Sequence, residues 1–336
     1  MKDAIQTRRN FLRTAGLCAA GVALTGCGQP EPSSVSTVAQ TAPKKPNILW
    51  ITCEDTSPYL GCYGDPHALT PNLDKLASEG SLYTQAFVTA PVCSPVRSCL
   101  ITGVYATSLG TQHLRSTVSP PVSIQPFPKY LRAAGYYCSN NSKEDYNFRD
   151  PTIWDDSSET AHWRNRKAGQ AFFSVFNLMF THQGQINGSD EAFFEKYRAK
   201  LRPEERHDPE TLVLPPYYPD TPMVRNIWAR YYDLITFMDK EVGKLLAQLD
   251  EDGLAEDTIV FFFADHGLGL PRFKRTLYDS GLHIPLIVRF PARYRSMASA
   301  SPGGRIDRLV STIDLPPTVL TLAGFTVDTF RWNEGS

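Results

Sequence analysis

The sequence predicts an α/β fold, a mostly parallel central sheet flanked by helices, and three stretches carry that prediction. Asn47-Ile48-Leu49-Trp50-Ile51-Thr52 and Thr258-Ile259-Val260-Phe261-Phe262-Phe263-Ala264 are unbroken apolar runs, the pattern of strands buried on both faces. The first ends in Cys53-Glu54-Asp55 and the second in Asp265-His266-Gly267. Between them, Val224, Ile227, Trp228, Tyr231, Leu234, Met238, Val242, Leu245, Leu246 and Leu249 keep helical spacing, which predicts a helix from about Pro222 to Asp250. Open α/β sheets bind ligands at the carboxyl ends of their strands.

The chain begins with an address. Thr7-Arg8-Arg9-Asn10-Phe11-Leu12-Arg13 is a twin-arginine export pattern, and Thr14 to Thr25 is an apolar core too short to span a bilayer. Leu24-Thr25-Gly26-Cys27 looks like a bacterial lipobox. Residues 1–26 are therefore expected to be a signal, with Cys27 lipidated. The product would be exported and lipid-anchored to a bacterial membrane, facing the periplasm or the exterior. Residues 27–46 are rich in Gln, Pro, Ser, Thr and Ala and read as a flexible tether to a domain over 47–325, with 326–336 a short tail. A net charge of −1 without any basic block argues against a nucleic-acid partner. Membrane contact is expected through the anchor alone. Seven cysteines show no spacing that specifies a disulfide framework.

Within the domain, Thr70 to Gly80 predicts a short helix, with Thr70 as N-cap and Pro71 at its first position. Ser81 to Val88 predicts a strand leading toward Cys93. Pro128 to Gly135 predicts another short helix, followed by a strand over Tyr136 to Ser139 and a loop over Asn140 to Asp145. The apolar stretch from Ala171 to Phe180 predicts a buried strand that delivers Thr181-His182. Residues 183–222 read as irregular surface. Ile284 to Phe290 predicts a further strand, and Ser311 to Leu320 a helix.

Taken alone, Glu54-Asp55 reads as a solvated pair of loop acids. A second edge ending in Asp265-His266 turns that reading toward metal ligands, because two strand ends of one parallel sheet can share a cation. Carboxylate oxygens suit calcium or magnesium, while the nitrogen of His266 leaves manganese or zinc open.

The most specific stretch is Cys93-Ser94-Pro95-Val96-Arg97-Ser98-Cys99-Leu100-Ile101-Thr102-Gly103. Pro95 suits the first turn of a helix and Gly103 a left-handed C-cap, which puts Cys93 just before the helix N-terminus. Arg97, about a turn on, is expected to return a bidentate guanidinium to the same mouth. A chance C-x-P-x-R is expected only about 0.02 times in a chain of this composition. The stretch resembles the signature of the type I, formylglycine-dependent sulfatases of the alkaline phosphatase superfamily. The resemblance runs from about Asn47 to Gly324.

That resemblance implies hydrolysis of sulfate esters or sulfamates, with a sulfated carbohydrate as substrate. It implies formylglycine made from Cys93 by a maturation enzyme. It also implies one divalent metal, calcium first, on Glu54, Asp55, Cys93, Asp265 and His266. Arg97, Lys143 and Lys274 would face the sulfate, and His182 the leaving oxygen. The sequence departs from the family at Glu54, where Asp is usual, and at Val96, where a small residue is usual. Ser142 and Asp145 depart too, standing where the family has Gly and His. Gly-Leu-Gly-Leu-Pro after His266 looks most like the heparan N-sulfatase branch. The small C-terminal subdomain usual in the family is expected to be missing, through fragmentation or natural truncation. The alternatives are a phosphodiesterase or phosphonate hydrolase of the same superfamily, or a non-catalytic glycan-binding relative.

Overall fold

The computed structural model describes residues 45–326, so the expected signal, Cys27, nearly all of the tether and most of the tail lie outside the described residues. Among the described residues nine strands form one sheet: β1 (Asn47–Cys53), β2 (Ser81–Phe87), β3 (Tyr137–Asn141), β4 (Asp156–Ser157), β5 (Phe172–Leu178), β6 (Thr258–Ala264), β7 (His283–Arg289), β8 (Gly304–Ile306) and β9 (Val310–Ser311). Their order is β4-β3-β5-β1-β6-β7-β2-β8, with β9 also beside β2. Among the described strands only β7 runs antiparallel to its neighbours β6 and β2. The mostly parallel α/β architecture is as the sequence predicts.

The centre of the sheet is dry. Every residue of β1 and β6 is buried, so these strands lack the polar alternation of a half-exposed strand. Trp50 in β1 meets Phe173 and Phe263 edge-on, each with ring centroids 5.1 Å away, and Phe127 at 5.4 Å. Such offset contacts suit the ring quadrupoles and add to the area these side chains remove from water. Register places the active edge. Cys53 pairs with Leu178 of β5 on one side and Ala264 of β6 on the other, so three parallel strands end level.

The predicted long helix spans Pro222–Glu251 and buries the expected stripe, including Trp228, Tyr231, Leu234, Met238, Val242 and Leu249. The helix Pro71–Glu79 lies against it, and Asp239 joins the two. Asp239 Oδ1 accepts from the Leu73 N–H at 2.8 Å, and Oδ2 accepts from the Asn72 N–H at 3.2 Å. These are first-turn donors that the short helix cannot satisfy internally. Thr70 occupies the expected cap position, but its side chain does not cap. Its Oγ1 accepts from the Gly61 N–H and donates to Asp74 instead. The stretch 183–222, expected to be irregular, contains short helical turns at Gln183–Ile186 and Asp190–Lys196. Ser189 caps the second by accepting from the Ala192 N–H.

Asp239→Ala leaves those buried N–H groups without acceptors, at about 1–3 kcal/mol each. A clear fall in denaturant midpoint with an unchanged slope is expected, and an unaltered midpoint would contradict this account of the helix junction.

Candidate active site

The helix Cys93–Thr102 is buried along its whole length. Two of its hydroxyls are satisfied by its own backbone: Ser98 Oγ donates to the Ser94 carbonyl and Thr102 Oγ1 donates to the Ser98 carbonyl, while Ser98 Oγ also accepts from the Asn147 N–H outside the helix. Gly103 closes the helix at φ 72°, the left-handed conformation for which glycine has no steric penalty. Cys93 is itself the first helical residue, one position further in than expected, because extended Val92 takes the N-cap place.

The level strand ends bring the acids to Cys93. The Glu54 N–H donates to the Leu178 carbonyl and the Asp265 N–H to the Cys53 carbonyl, both at 3.1 Å, so the three edges stay tied past the sheet. The Asp55 N–H donates to Asp265 Oδ1 at 3.1 Å. His266 Nε2 lies 3.3 Å from Cys93 Sγ and 3.4 Å from Asp55 Oδ1. Donor atoms of Asp55, Cys93, Asp265 and His266 all fall within 4.8 Å of one another, as do those of Glu54, Asp55, Cys93 and His182. The five expected metal ligands thus fall in two overlapping sets that share Asp55 and Cys93.

The five expected catalytic residues converge too, with one correction. Arg97 does not offer a bidentate face to the mouth. It is buried and divided among three partners, with Nη2 on Glu54 Oε1, Nη1 2.9 Å from Asn177 Oδ1 and Nε 3.4 Å from Asp265 Oδ2. Glu54, a methylene longer than the usual Asp, is what reaches it. Lys143 Nζ donates to Glu54 Oε2 at 2.6 Å, and Lys274 Nζ donates to Asp55 Oδ1 at 2.8 Å. Asp145 Oδ2 stands 3.5 Å from Lys143 Nζ, close enough to orient that lysine. His182 Nδ1 accepts from the Gly184 N–H at 3.2 Å, which leaves the proton of a neutral ring on Nε2.

These contacts pull the buried acids apart. Burial disfavours charge on Glu54, but Arg97 and Lys143 outweigh it and hold this carboxyl far below its ordinary range. Asp265 is pushed up by burial and by the charge of Glu54. Burial would lower His266, yet Asp265 beside it raises the imidazole to about 9. At Cys93, burial opposes ionisation, but hydrogen bonds with His182 and His266 bring the thiol down to about 5.

The residues fit a divalent cation. Asp265 Oδ2 is buried without a hydrogen-bond partner. His266 Nδ1 sits 2.9 Å from the Gly267 carbonyl, so in the neutral ring that a cation requires the proton stays on Nδ1 and the Nε2 lone pair faces the carboxylates. Three carboxylates and one imidazole form a hard donor set with a single nitrogen.

Sequence reasoning missed Asn177 and Gln183. Asn177 links Arg97 to Thr52 of β1 and Asn140 of β3. A lone amide in the apolar stretch Phe172 to Phe180 was the available signal. Gln183 donates its backbone N–H to Asp55 Oδ2 at 2.8 Å, and nothing in its surroundings in the sequence marks it. Gly269 packs here as well, since a Cβ at that position would lie 2.7 Å from Asp55 Oδ2 and 2.5 Å from Gln183 Cβ.

Comparison with known proteins bears on this arrangement. The sulfatase family profile matches residues 46–325. An ulvan-active sulfatase of Formosa agariphila is 39% identical over 319 residues, covering 84% of this chain and 52% of that protein. Human N-sulphoglucosamine sulphohydrolase is 28% identical over 305 residues, covering 82% of this chain and 60% of that protein. The chain thus spans about half the length of the ulvan-active relative. Among solved structures, a protein in complex with its substrate D-glucosamine-2-N,6-O-disulfate superposes with a TM-score of 0.62 at 19% identity, covering 84% of this chain and 78% of that one. A phosphonate monoester hydrolase from Silicibacter pomeroyi superposes at 0.63 and 20% identity, covering 84% and 74%, and shares the fold. With the family profile spanning the domain and C-x-P-x-R opening a buried helix beside four metal-capable residues, this chain belongs to the sulfatase family.

Proposed function

We propose that this chain hydrolyses sulfate esters or sulfamates on a sulfated polysaccharide, with the side chain at position 93 as nucleophile after conversion of Cys93 to formylglycine. The observation that carries this reading is the convergence on one buried cysteine of three cationic side chains and four metal-capable ones. The formyl group would supply a hydrated oxygen nucleophile that a plain cysteine lacks. A divalent cation on Glu54, Asp55, Asp265 and His266 would supply Lewis acidity at that point. Calcium is our first choice, with manganese, magnesium and zinc as alternatives.

The chain's own residues divide the remaining work. Lys143 and Lys274 are held toward position 93 by Glu54 and Asp55, where their charge offsets that of the sulfate oxygens. Arg97 stabilises ionised Glu54 from below. His182, with its ring proton on Nε2, can donate to the departing oxygen or nitrogen. Export by the twin-arginine route and anchoring through Cys27 would place this chemistry where extracellular polysaccharide arrives.

Four outcomes test the reading. Wild-type protein from its native host should turn over an aryl sulfate with kcat/KM at least about tenfold above an aryl phosphate diester, and the reverse order would favour the phosphonate-hydrolase reading. In the same assay, His182→Ala should lower kcat by about 10²–10³-fold on a sugar sulfate. The loss should be much smaller on nitrophenyl sulfate, whose leaving group needs no proton, and equal losses on both would remove His182 from the proton-donor role. A chelator should lower Tm, and restoring Tm with each cation in turn identifies the preferred metal, since binding to the folded state alone stabilises it. An indifferent Tm would contradict the ligand assignment. Finally, Cys27→Ser should move the protein from the membrane fraction to the soluble periplasm, and unchanged membrane association would rule out the lipid anchor.

A further inference from the structure

Five described residues other than glycine have positive φ: Asp55, Arg115, Asp145, Arg272 and Arg275, at 46°, 55°, 49°, 69° and 69°. This conformation costs an L-residue with a side chain of order 1 kcal/mol or more. All five belong to segments that form the site or its rim. Three are exposed arginines in a chain whose net charge is −1.

Two of the arginines, Arg115 and Arg275, are anchored to the nucleophile segment through their backbones. The Arg115 N–H donates to Ser94 Oγ at 2.8 Å, and the Arg275 N–H donates to the Pro91 carbonyl at 2.7 Å. They therefore flank Cys93 on either side. Arg115 already faces a carboxylate, with Nε 3.5 Å from Asp145 Oδ1. Arg275 faces only a neutral amide, donating from Nη1 to Gln183 Oε1 at 3.1 Å. Arg272, two residues before Lys274, is stacked between the rings of Tyr217 and Tyr278, 4.5 and 4.6 Å from their centroids. Both rings are about half exposed. Among the described residues, neither Arg272 nor Arg275 has a carboxylate within ion-pair distance.

Resting on the sulfatase reading above, we propose that Arg275 and the Tyr217–Arg272–Tyr278 stack form a subsite for the sugar next to the one that loses sulfate. That sugar carries an anion, a carboxylate or a second sulfate. The rings hold the guanidinium plane before ligand arrives, so little side-chain freedom is lost on binding. A guanidinium matches either oxyanion with two parallel hydrogen bonds. The exposed tyrosine faces offer apolar surface to the C–H face of a pyranose. A neutral glycan has no use for two uncompensated cations at this rim.

The test is binding of the full chain to heparin, whose uronates carry both a carboxylate and a 2-O-sulfate, in native, carboxyl-reduced and 2-O-desulfated forms, with aryl sulfate turnover measured alongside. Arg272→Gln/Arg275→Gln should weaken binding about tenfold or more on the polymers that carry the recognised anion. A loss confined to the two carboxylate-bearing forms identifies a carboxylate, and one confined to the two 2-O-sulfated forms identifies a second sulfate on the neighbouring sugar. Arg272→Lys/Arg275→Lys keeps the charge and should recover part of the affinity, which separates recognition from misfolding. Affinities within about twofold of wild type on all three polymers, equal weakening on all three without lysine rescue, or no binding by the wild type would each overturn the proposal. Stack-dependent binding without aryl sulfate turnover would leave this subsite standing and refute the catalytic reading.

Discussion

Three carboxylates, Glu54, Asp55 and Asp265, are gathered with His266 at a point fully shielded from water, and the surrounding structure answers their mutual repulsion. Two like charges about 4 Å apart repel by about 4 kcal/mol at an effective dielectric constant near 20. The fold opposes that repulsion with level strand ends that hold the backbone still and with three cations brought from separate segments. Arg97 comes from the helix that Cys93 opens, Lys143 from the loop after β3 and Lys274 from the loop after β6. A divalent cation would complete the balance from the centre, where Asp265 Oδ2 has no hydrogen-bond partner.

The same arrangement explains why the departures from the family pattern are tolerable. Glu54 is longer than aspartate, and its extra reach lets one carboxylate engage Arg97 through Oε1 and Lys143 through Oε2. Asp145 brings a negative charge where the family has histidine, but that charge is shared between Lys143 and Arg115. The lysine and arginine therefore screen it from an incoming sulfate. Each substitution that looks awkward singly belongs to a set of ion pairs in which it has a partner.

Much of this was legible in the sequence because the central strands carry no ambiguity. β6 coincides with its apolar run, and β1 extends one residue past its own, since strands covered on both faces have no polar residue to blur their limits. The antiparallel direction of β7 was not legible, because an apolar strand has the same composition in either direction. The position of Cys93 inside its helix was missed by one residue, the usual scale of boundary error where an extended residue supplies the cap. Asn177 was passed over because its role depends on β1, β3 and the Cys93 helix meeting in space. Arg272 and Arg275 bore no signal at all, for a positive φ at arginine is imposed by tertiary contacts and not by local preference.

The site thus reads as a charge balance built around one cysteine. Its central claim is that position 93 is not a thiol in the working protein. The most direct measurement is a mass spectrum of the Cys93-containing peptide from protein made in its native host. This account predicts loss of the thiol and a carbonyl in its place. An unmodified cysteine in protein that still hydrolyses sulfate would contradict it.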